Sequence, residues 1–249
     1  DGTSHLAAST IPNCKAYDPA FACELAVIVD HGMREMMVEQ NDVFYYITTM
    51  NENYAQPALI DGAADGILRG AYCFAHYEAD READRSTEQA TLENATAEPH
   101  ANAAPDGIGN QPARVTLLGS GAILTEVIKA AQELAQIGIA CDVLSITSWS
   151  ELARDGQRYQ SARLQGSPLE SQCFIAEQLA ACAGPIIAAT DYVRLVPEQI
   201  RAYLPVGREY ITLGTDGFGR SDTRAELRRY FDVDAEAVVN AALVALKRN

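Results

Sequence analysis

From residue 114 onward the sequence alternates. Runs of β-branched and apolar residues at 114–118, 141–147, 186–190 and 210–213 take turns with helical patterns at 122–136, 170–182, 196–203, 223–231 and 235–246. Strands separated by helices do not pair as hairpins. Each crossover returns the chain so that the next strand lies parallel to an earlier one, with helices covering both faces of the sheet. Helix starts are well marked: Ser148…Glu151, Ser167-Pro168-Leu169-Glu170 and Thr223…Glu226 have capping-box form, and Asp234 stands where it can cap the last helix. A further strand at 72–78 precedes the alternation and is expected to pair antiparallel at an edge. The expected fold class is α/β, with an open, mostly parallel sheet and helices on both faces.

The first part of the chain is less regular. Residues 1–10 are small and polar, and Asp1-Gly2-Thr3-Ser4-His5, without an initiator Met, reads as the middle of a loop in a longer chain. Asp18, before Pro19, is expected to cap a helix over 21–38. Phe21, Leu25, Ile28, Gly32 and Met36 form the stripe of that helix, widened by Val29 and Met33, with Glu24, Arg34 and Glu35 facing water. His31, beside Asp30 and off the stripe, reads as a solvated residue. Residues 43–49 predict a buried strand. The polar segment 51–57 behind it is either a plain turn or a strand-end ligand contact, and 61–70 reads as a short helix or turn. In the 72–78 strand His76 shares a face with Tyr72 and Phe74, which predicts a packed, hydrogen-bonded histidine.

Between 80 and 112 periodicity vanishes, and seven acidic side chains stand against two basic ones. Such a stretch buries too little apolar surface to offset its ordering entropy and is expected to be a flexible acidic insert. The whole chain carries a formal charge of −15, which repels nucleic acid and anionic membranes and leaves proteins or small molecules as partners. No apolar run approaches the ~20 residues needed to span a bilayer. The six cysteines lie in apolar runs without a C-x-x-C pair, which points to free thiols in a reducing cytoplasm rather than zinc or redox use.

Two glycine-bearing turns invite chemical readings. Gly119-Ser120-Gly121 joins a strand to a helix, but Leu124 occupies the place of the third glycine of a dinucleotide turn and no acid ends the next strand. Gly214-Thr215-Asp216-Gly217-Phe218-Gly219-Arg220-Ser221-Asp222 is the most tightly specified stretch of the chain. Three glycines in six residues allow positive φ angles and close approach, while aspartate, arginine and serine side chains offer charge and hydrogen bonds. It leaves a strand and enters a helix, at the sheet edge where open α/β folds place ligand or domain contacts.

Several segments taken together resemble one family: Asp1-Gly-x-Ser-His5, Ile11-Pro-Asn-Cys14, Tyr17-Asp-Pro19, Ile47-Thr-Thr-x-Asn-Glu-Asn-Tyr54, Leu118-Gly-Ser-Gly121, Glu151-Leu-Ala-Arg-Asp-Gly-Gln157, Thr190-Asp-Tyr192 and the Gly214–Asp222 stretch. They are similar to the C-terminal part of the homodimeric, bacterial-type pyruvate dehydrogenase (acetyl-transferring), a thiamine-diphosphate family of the transketolase superfamily. The resemblance covers the chain except the acidic insert. It implies that residues 1–70 close a pyrimidine-binding α/β domain and that 71–249 form a transketolase C-terminal-type domain. It also implies decarboxylation of pyruvate on thiamine diphosphate with Mg²⁺, and transfer of the acetyl unit to the lipoyl group of a dihydrolipoyl acetyltransferase. The catalyst would be a homodimer with the cofactor between subunits. The domain that holds diphosphate and Mg²⁺, and the glutamate that activates the aminopyrimidine, would lie upstream of Asp1, so no cofactor or metal ligand is expected on this chain alone.

Gly214-x-Asp216-Gly217 with Asn240 imitates the Mg²⁺-diphosphate motif of such enzymes only loosely, because Thr215 stands where a glycine belongs and Asn240 falls inside the last helix. Under the resemblance His5 sits near the active-site mouth, although Thr3 replaces the first histidine of the family's usual His-Ser-His. Gly214–Asp222 and Glu151–Gln157 are then expected to be loops that brace the C-terminal domain against neighbouring domains or a second subunit, through Asp216, Phe218, Arg220, Asp222, Arg154 and Asp155. The competing reading is a non-catalytic α/β module whose acidic insert binds a basic protein.

Overall fold

The computed structural model describes residues 2–80, 113–167 and 172–247. Two sheets are present among these residues. β1 (Cys14–Tyr17) and β2 (Phe44–Ile47) pair in parallel, joined by α2 (Ala22–Met33) and a π-helical turn at Arg34–Val38. The larger sheet has the order β3-β5-β4-β6-β7, built from β3 (Ala71–Tyr77), β4 (Arg114–Gly119), β5 (Ala140–Ile146), β6 (Ile186–Ala189) and β7 (Tyr210–Leu213). Every pair in it is parallel except β3–β5, which is antiparallel at the edge as expected.

All seven residues of β5 are buried, because both faces of an interior strand are covered when crossover helices lie above and below. On one face α4 (Leu124–Gln136) and α9 (Ala235–Leu246) pack Val127, Leu134, Val238 and Ala242 against Leu117, Val143 and Ile187. On the other, α5 (Trp149–Leu164), α6 (Phe174–Leu179) and α7 (Leu195–Glu198) pack Trp149, Leu152, Ile175 and Val196 against Leu118, Leu144 and Ile186. α1 (Ser4–Ser9), α3 (Ala63–Arg69) and α8 (Arg224–Tyr230) complete the described helices. Ser148, Thr223 and Asp234 each accept a hydrogen bond from the backbone three residues on, so these three starts are as the sequence marked them.

Other expectations are corrected. His5 lies on α1, not in a loop. Asp18 caps no helix: α2 begins after Phe21, and the Glu24 carboxylate reaches back to accept from the Ala20 and Phe21 N–H groups at 2.6 and 3.0 Å. Glu24 and Glu35, expected to face water, are buried, whereas Val29 and Met33 are exposed. The helix is rotated from its apolar stripe because the acids find partners inside: Glu24 accepts from Tyr72 and Ser145, and Glu35 from Lys15 and Tyr45.

The 43–49 strand forms but is half exposed, since its two-stranded sheet covers it on one side only; Phe44 keeps 43% of its surface. His76 is hydrogen-bonded but exposed. A bulge between Cys73 and Ala75 inserts an extra residue and turns His76 away from the face of Tyr72. Of the expected 170–182 helix the described residues show the shorter α6, with Cys173 at its N-cap, while 168–171, including most of the expected capping-box start, lie outside the described residues; 196–203 splits into α7 and a 3₁₀ turn at Arg201–Tyr203. α5 is absent from the expected order: beyond the marked Ser148…Glu151 start, 151–157 is expected to be a bracing loop, and the structure instead runs a 16-residue helix there. Residues 81–112 of the expected acidic insert lie outside the described residues.

Candidate functional site

The loops leaving the carboxyl ends of β2, β6 and β7 converge with the amino-terminal segment on a cleft of ≈ 400 Å³. Met50, Asp191, Tyr192, Thr215, Arg220 and Arg228 are among its lining residues. Backbone bonds lace its rim: Val193 N–H donates to Gly2 C=O and Thr215 N–H to Tyr192 C=O, while the Thr215 hydroxyl donates to Asp191 C=O. Gly214 is required there, because a Cβ on it would stand 2.4 Å from the Tyr192 carbonyl oxygen.

Beside this cleft runs a buried polar seam. Asp18 leaves β1, with its N–H donating to Thr147 C=O and its C=O accepting from Gly121 N–H. Its Oδ1 accepts from the Thr48 hydroxyl at 2.8 Å, and its Oδ2 is buried without a partner. Burial pushes the Asp18 carboxyl up to about 7, against the Thr48 hydrogen bond and the nearby Ser120 hydroxyl, which favour the charged form. Thr48 Oγ1 lies 2.9 Å from His5 Nε2. Thr48 has one proton and gives it to Asp18, so the network assigns the His5 N–H to Nε2 and leaves Nδ1 as the acceptor. His5 is enclosed edge-on by Tyr46 and Tyr192, and burial pulls its pKa down to about 4. It is therefore a neutral imidazole of fixed tautomer. Ser120 and Thr190 hydroxyls, 3.0 Å apart, continue the seam.

Of the residues singled out from sequence, Arg220 lines the cleft and lies over the Tyr230 ring, 5.2 Å from its centroid. Asp216 accepts from the Arg194 backbone N–H at 3.0 Å and pairs with its guanidinium, and these bonds outweigh desolvation to lower its pKa. Asp222 caps its own neighbour, accepting from Thr223 N–H at 2.7 Å, and Phe218 is 90% exposed. Arg154 and Asp155 lie elsewhere, on α5. Arg154 donates to the carbonyls of Ile11 and Cys14 at 2.8 and 2.6 Å, fastening the first segment to the larger domain, and Asp155 accepts from Phe174 N–H at the start of α6. The 51–57 loop is held by Arg224, which donates to Asn51, and by Arg228, which bridges Glu52 and Glu126. Asp18, Thr48 and Ser120 escaped attention as site residues. Their signal was present as polar residues directly following strand runs, where parallel sheets expose their carboxyl edge.

Among the described residues no three His, Cys, Asp or Glu side chains converge to hold a metal ion.

Residues 106–234 match the transketolase-like TK C-terminal domain and residues 1–57 the pyruvate dehydrogenase E1 component middle domain. The chain belongs to the transketolase-like C-terminal domain family, and the resemblance carried by its motifs is borne out. It is 47% identical over 248 residues to the pyruvate dehydrogenase E1 component of Pseudomonas aeruginosa, covering 99% of this chain and 25% of that protein. To the Escherichia coli K12 E1 component it is 43% identical over 252 residues, 100% of this chain and 24% of that protein. The chain thus spans about a quarter of the length of the curated relatives it matches. Among solved structures, a Pichia stipitis transketolase with xylulose 5-phosphate superposes with TM-score 0.57 at 13% identity, covering 99% of this chain and 27% of that one. A split-gene transketolase, an inactive β4 tetramer, gives 0.53 at 15%, covering 96% and 60%. These likenesses establish the α/β fold class with its mostly parallel sheet.

Proposed function

We propose that this chain is the carboxyl-terminal portion of a pyruvate dehydrogenase E1-type component, in which 1–70 end the pyrimidine-binding domain and 71–249 form the transketolase-type C-terminal domain. The complete protein is a cytoplasmic homodimer. It decarboxylates pyruvate with thiamine diphosphate and Mg²⁺ and acetylates the lipoyl group of a dihydrolipoyl acetyltransferase. The observation that carries this reading is the end-to-end identity, 47% over 99% of the chain, with E1 components. The cofactor's diphosphate and metal are held by segments other than this one.

The chain's own contribution is the wall of the carboxyl-edge cleft. His5, neutral and fixed through Thr48, stands in the buried seam beside the mouth with a defined protonation state. Asp216 and Arg220 hold the Gly214–Asp222 loop against Arg194 and Tyr230 so that Phe218 projects to a neighbouring domain or subunit, and Asp222 starts α8 behind it. Arg154 ties the two segments of the chain together, and Asp155 fastens the start of α6 to α5.

The test is pyruvate-dependent acetylation of a lipoyl domain by the full-length protein. Activity that requires thiamine diphosphate is expected, and its absence in a dimeric, folded preparation overturns the reading. Asp216→Ala or Arg220→Ala in that protein is expected to weaken dimerisation or turnover. Unchanged dimer affinity and rate would remove the bracing role while leaving the overall assignment standing.

A further inference from the structure

A second cluster lies on the opposite edge of the larger sheet, on the antiparallel strand β3. In a regular strand residues 73 and 76 point to opposite faces, but the bulge between Cys73 and Ala75 adds one residue and brings them to the same side. Cys73 Sγ then lies 3.3 Å from His76 Nε2, and His76 Nδ1 lies 2.8 Å from Oδ1 of Asp142, its direct partner across the ladder. Asp142 is 1% exposed, and its Oδ1 also accepts from Arg114 Nη1 at 2.7 Å. Its Oδ2 is buried with no partner. A carboxylate only accepts, so His76 carries its proton on Nδ1 and turns the Nε2 lone pair toward the thiol. Thiol, imidazole and carboxylate therefore stand in the order that lets a cysteine lose its proton as it attacks. Cys141, Cys173 and Cys182 instead donate to backbone carbonyls.

Cys73 lines a cleft of ≈ 280 Å³, together with Asp61, Asp65, Tyr72, Phe174 and Gln178. Asp65 lies 3.8 Å from Arg69, whereas Asp61 has no ion-pair partner among the described residues. With the chain's charge of −15, this mouth favours cations over anions.

We propose that Cys73, with His76 as its base and Asp142 orienting the imidazole, is a thiol-exchange site that takes small cationic disulfides. In the exchange the Sγ proton passes to His76 Nε2 and Sγ bonds one sulfur of the disulfide. The disulfide's S–S bond breaks, its electron pair stays on the departing thiolate, and that thiolate takes the proton back from His76. Cys73 ends in a mixed disulfide and the reagent is reduced to one free thiol. Burial and the Asp142 charge raise the resting thiol's pKa, so the site depends on proton transfer during attack and not on a standing thiolate.

The test treats the full-length protein with cystamine, quenches with acid, and follows mixed-disulfide formation at each of these six cysteines by peptide mass spectrometry. Cys73 is expected to react about tenfold or more faster than the partly exposed Cys23 and Cys182, and His76→Gln is expected to remove that advantage while leaving Cys23 and Cys182 unchanged. The small anionic dithiodiglycolate is expected to be disfavoured, and Asp61→Asn to narrow the gap between the two reagents. Because His76 is exposed, its replacement leaves the fold intact, and continued protection of Cys14 and Cys141 in the same digest checks this. Cys73 reacting no faster than Cys23 and Cys182 in the unaltered protein overturns the proposal outright. A Cys73 advantage that survives His76→Gln removes the base and overturns it equally.

Discussion

The buried seam His5–Thr48–Asp18 and the exposed loop Gly214–Asp222 lie at the same carboxyl edge and are built on opposite principles. In the seam every side-chain contact joins distant parts of the chain and closes on the buried His5 and Asp18 through the half-buried Thr48, and Asp18 Oδ2 is left without a partner. In the loop the pairings are short-range or solvent-facing: Asp222 with its own neighbour, Arg220 with Tyr230, and Asp216 with Arg194, whose side chain is 58% exposed. Polar groups shut away from water stabilise or destabilise by kilocalories, whereas exposed ion pairs contribute little. The seam should therefore control the stability of this chain. The loop, densely specified yet weakly anchored, should control what the chain touches.

A pair of glycines breaks the comparison most sharply if it is wrong. Gly121 has φ +51°, and a Cβ there would stand 2.5 Å from Asp18 Oδ2 inside the seam. Gly217 in the loop has φ +96° with open space around it. Gly121→Ala is expected to destabilise by about 3 kcal/mol or more, through backbone strain plus overpacking. Gly217→Ala should cost about 1 kcal/mol, from the backbone alone. Urea unfolding followed by the fluorescence of Trp149, the single tryptophan and itself buried, reads both. Equal losses would mean that the seam is no tighter than the loop.

Titration sharpens the same contrast. Asp18 is raised from 3.8 to about 7, so the folded state holds its proton more tightly than the unfolded chain does. Its contribution is favourable below pH 4 and is lost as pH rises toward 7. His5 is lowered from 6.5 to about 4, so the folded state resists protonation, and its contribution is present above pH 6.5 and lost as pH falls toward 4. Between about pH 4 and 6.5 the two slopes, each about 1.4 kcal/mol per pH unit, oppose and nearly cancel. Replacing either partner unmasks the other. Relative to the unaltered chain, Asp18→Asn should lose about 3 kcal/mol on acidification from pH 6.5 to 4, and His5→Gln should gain a similar amount. Difference curves that stay flat in both variants would show that these groups titrate as they do in water.

How much of this was legible beforehand follows from range. The strand order after residue 114, the antiparallel edge strand and three helix caps stand in the structure where the pattern put them, because they depend on neighbours within a few residues, whereas helix α5 is missed beyond its cap. Glu24 reads as a solvent-facing helix residue until Ser145, 121 positions later, donates to it, and Asp18 reads as a cap until Thr48 does the same from 30 positions away. Periodicity carries no signal for such pairings, because a buried acid differs from an exposed one only by partners elsewhere in the chain. The bulge that joins Cys73 to His76 was equally hidden, since one extra residue reverses the parity from which a strand's faces are read.

Phe218 gives the smallest effect and the most direct test of the loop's purpose. Its ring is 90% exposed, so removing it takes almost nothing from the folded chain, and Phe218→Ala is expected to change unfolding stability by less than about 0.5 kcal/mol. A ring held in water by a loop of fixed pairings has the form of an anchor for a neighbouring surface, where a desolvated aromatic typically contributes about 2 kcal/mol or more. In the full-length protein the same substitution should therefore weaken subunit association, measured by sedimentation across a dilution series, while the unfolding midpoint of this chain stays in place. A stability loss in the isolated chain would put the loop in the same class as the seam. No effect on association would leave Phe218 an exposed residue without a surface to meet.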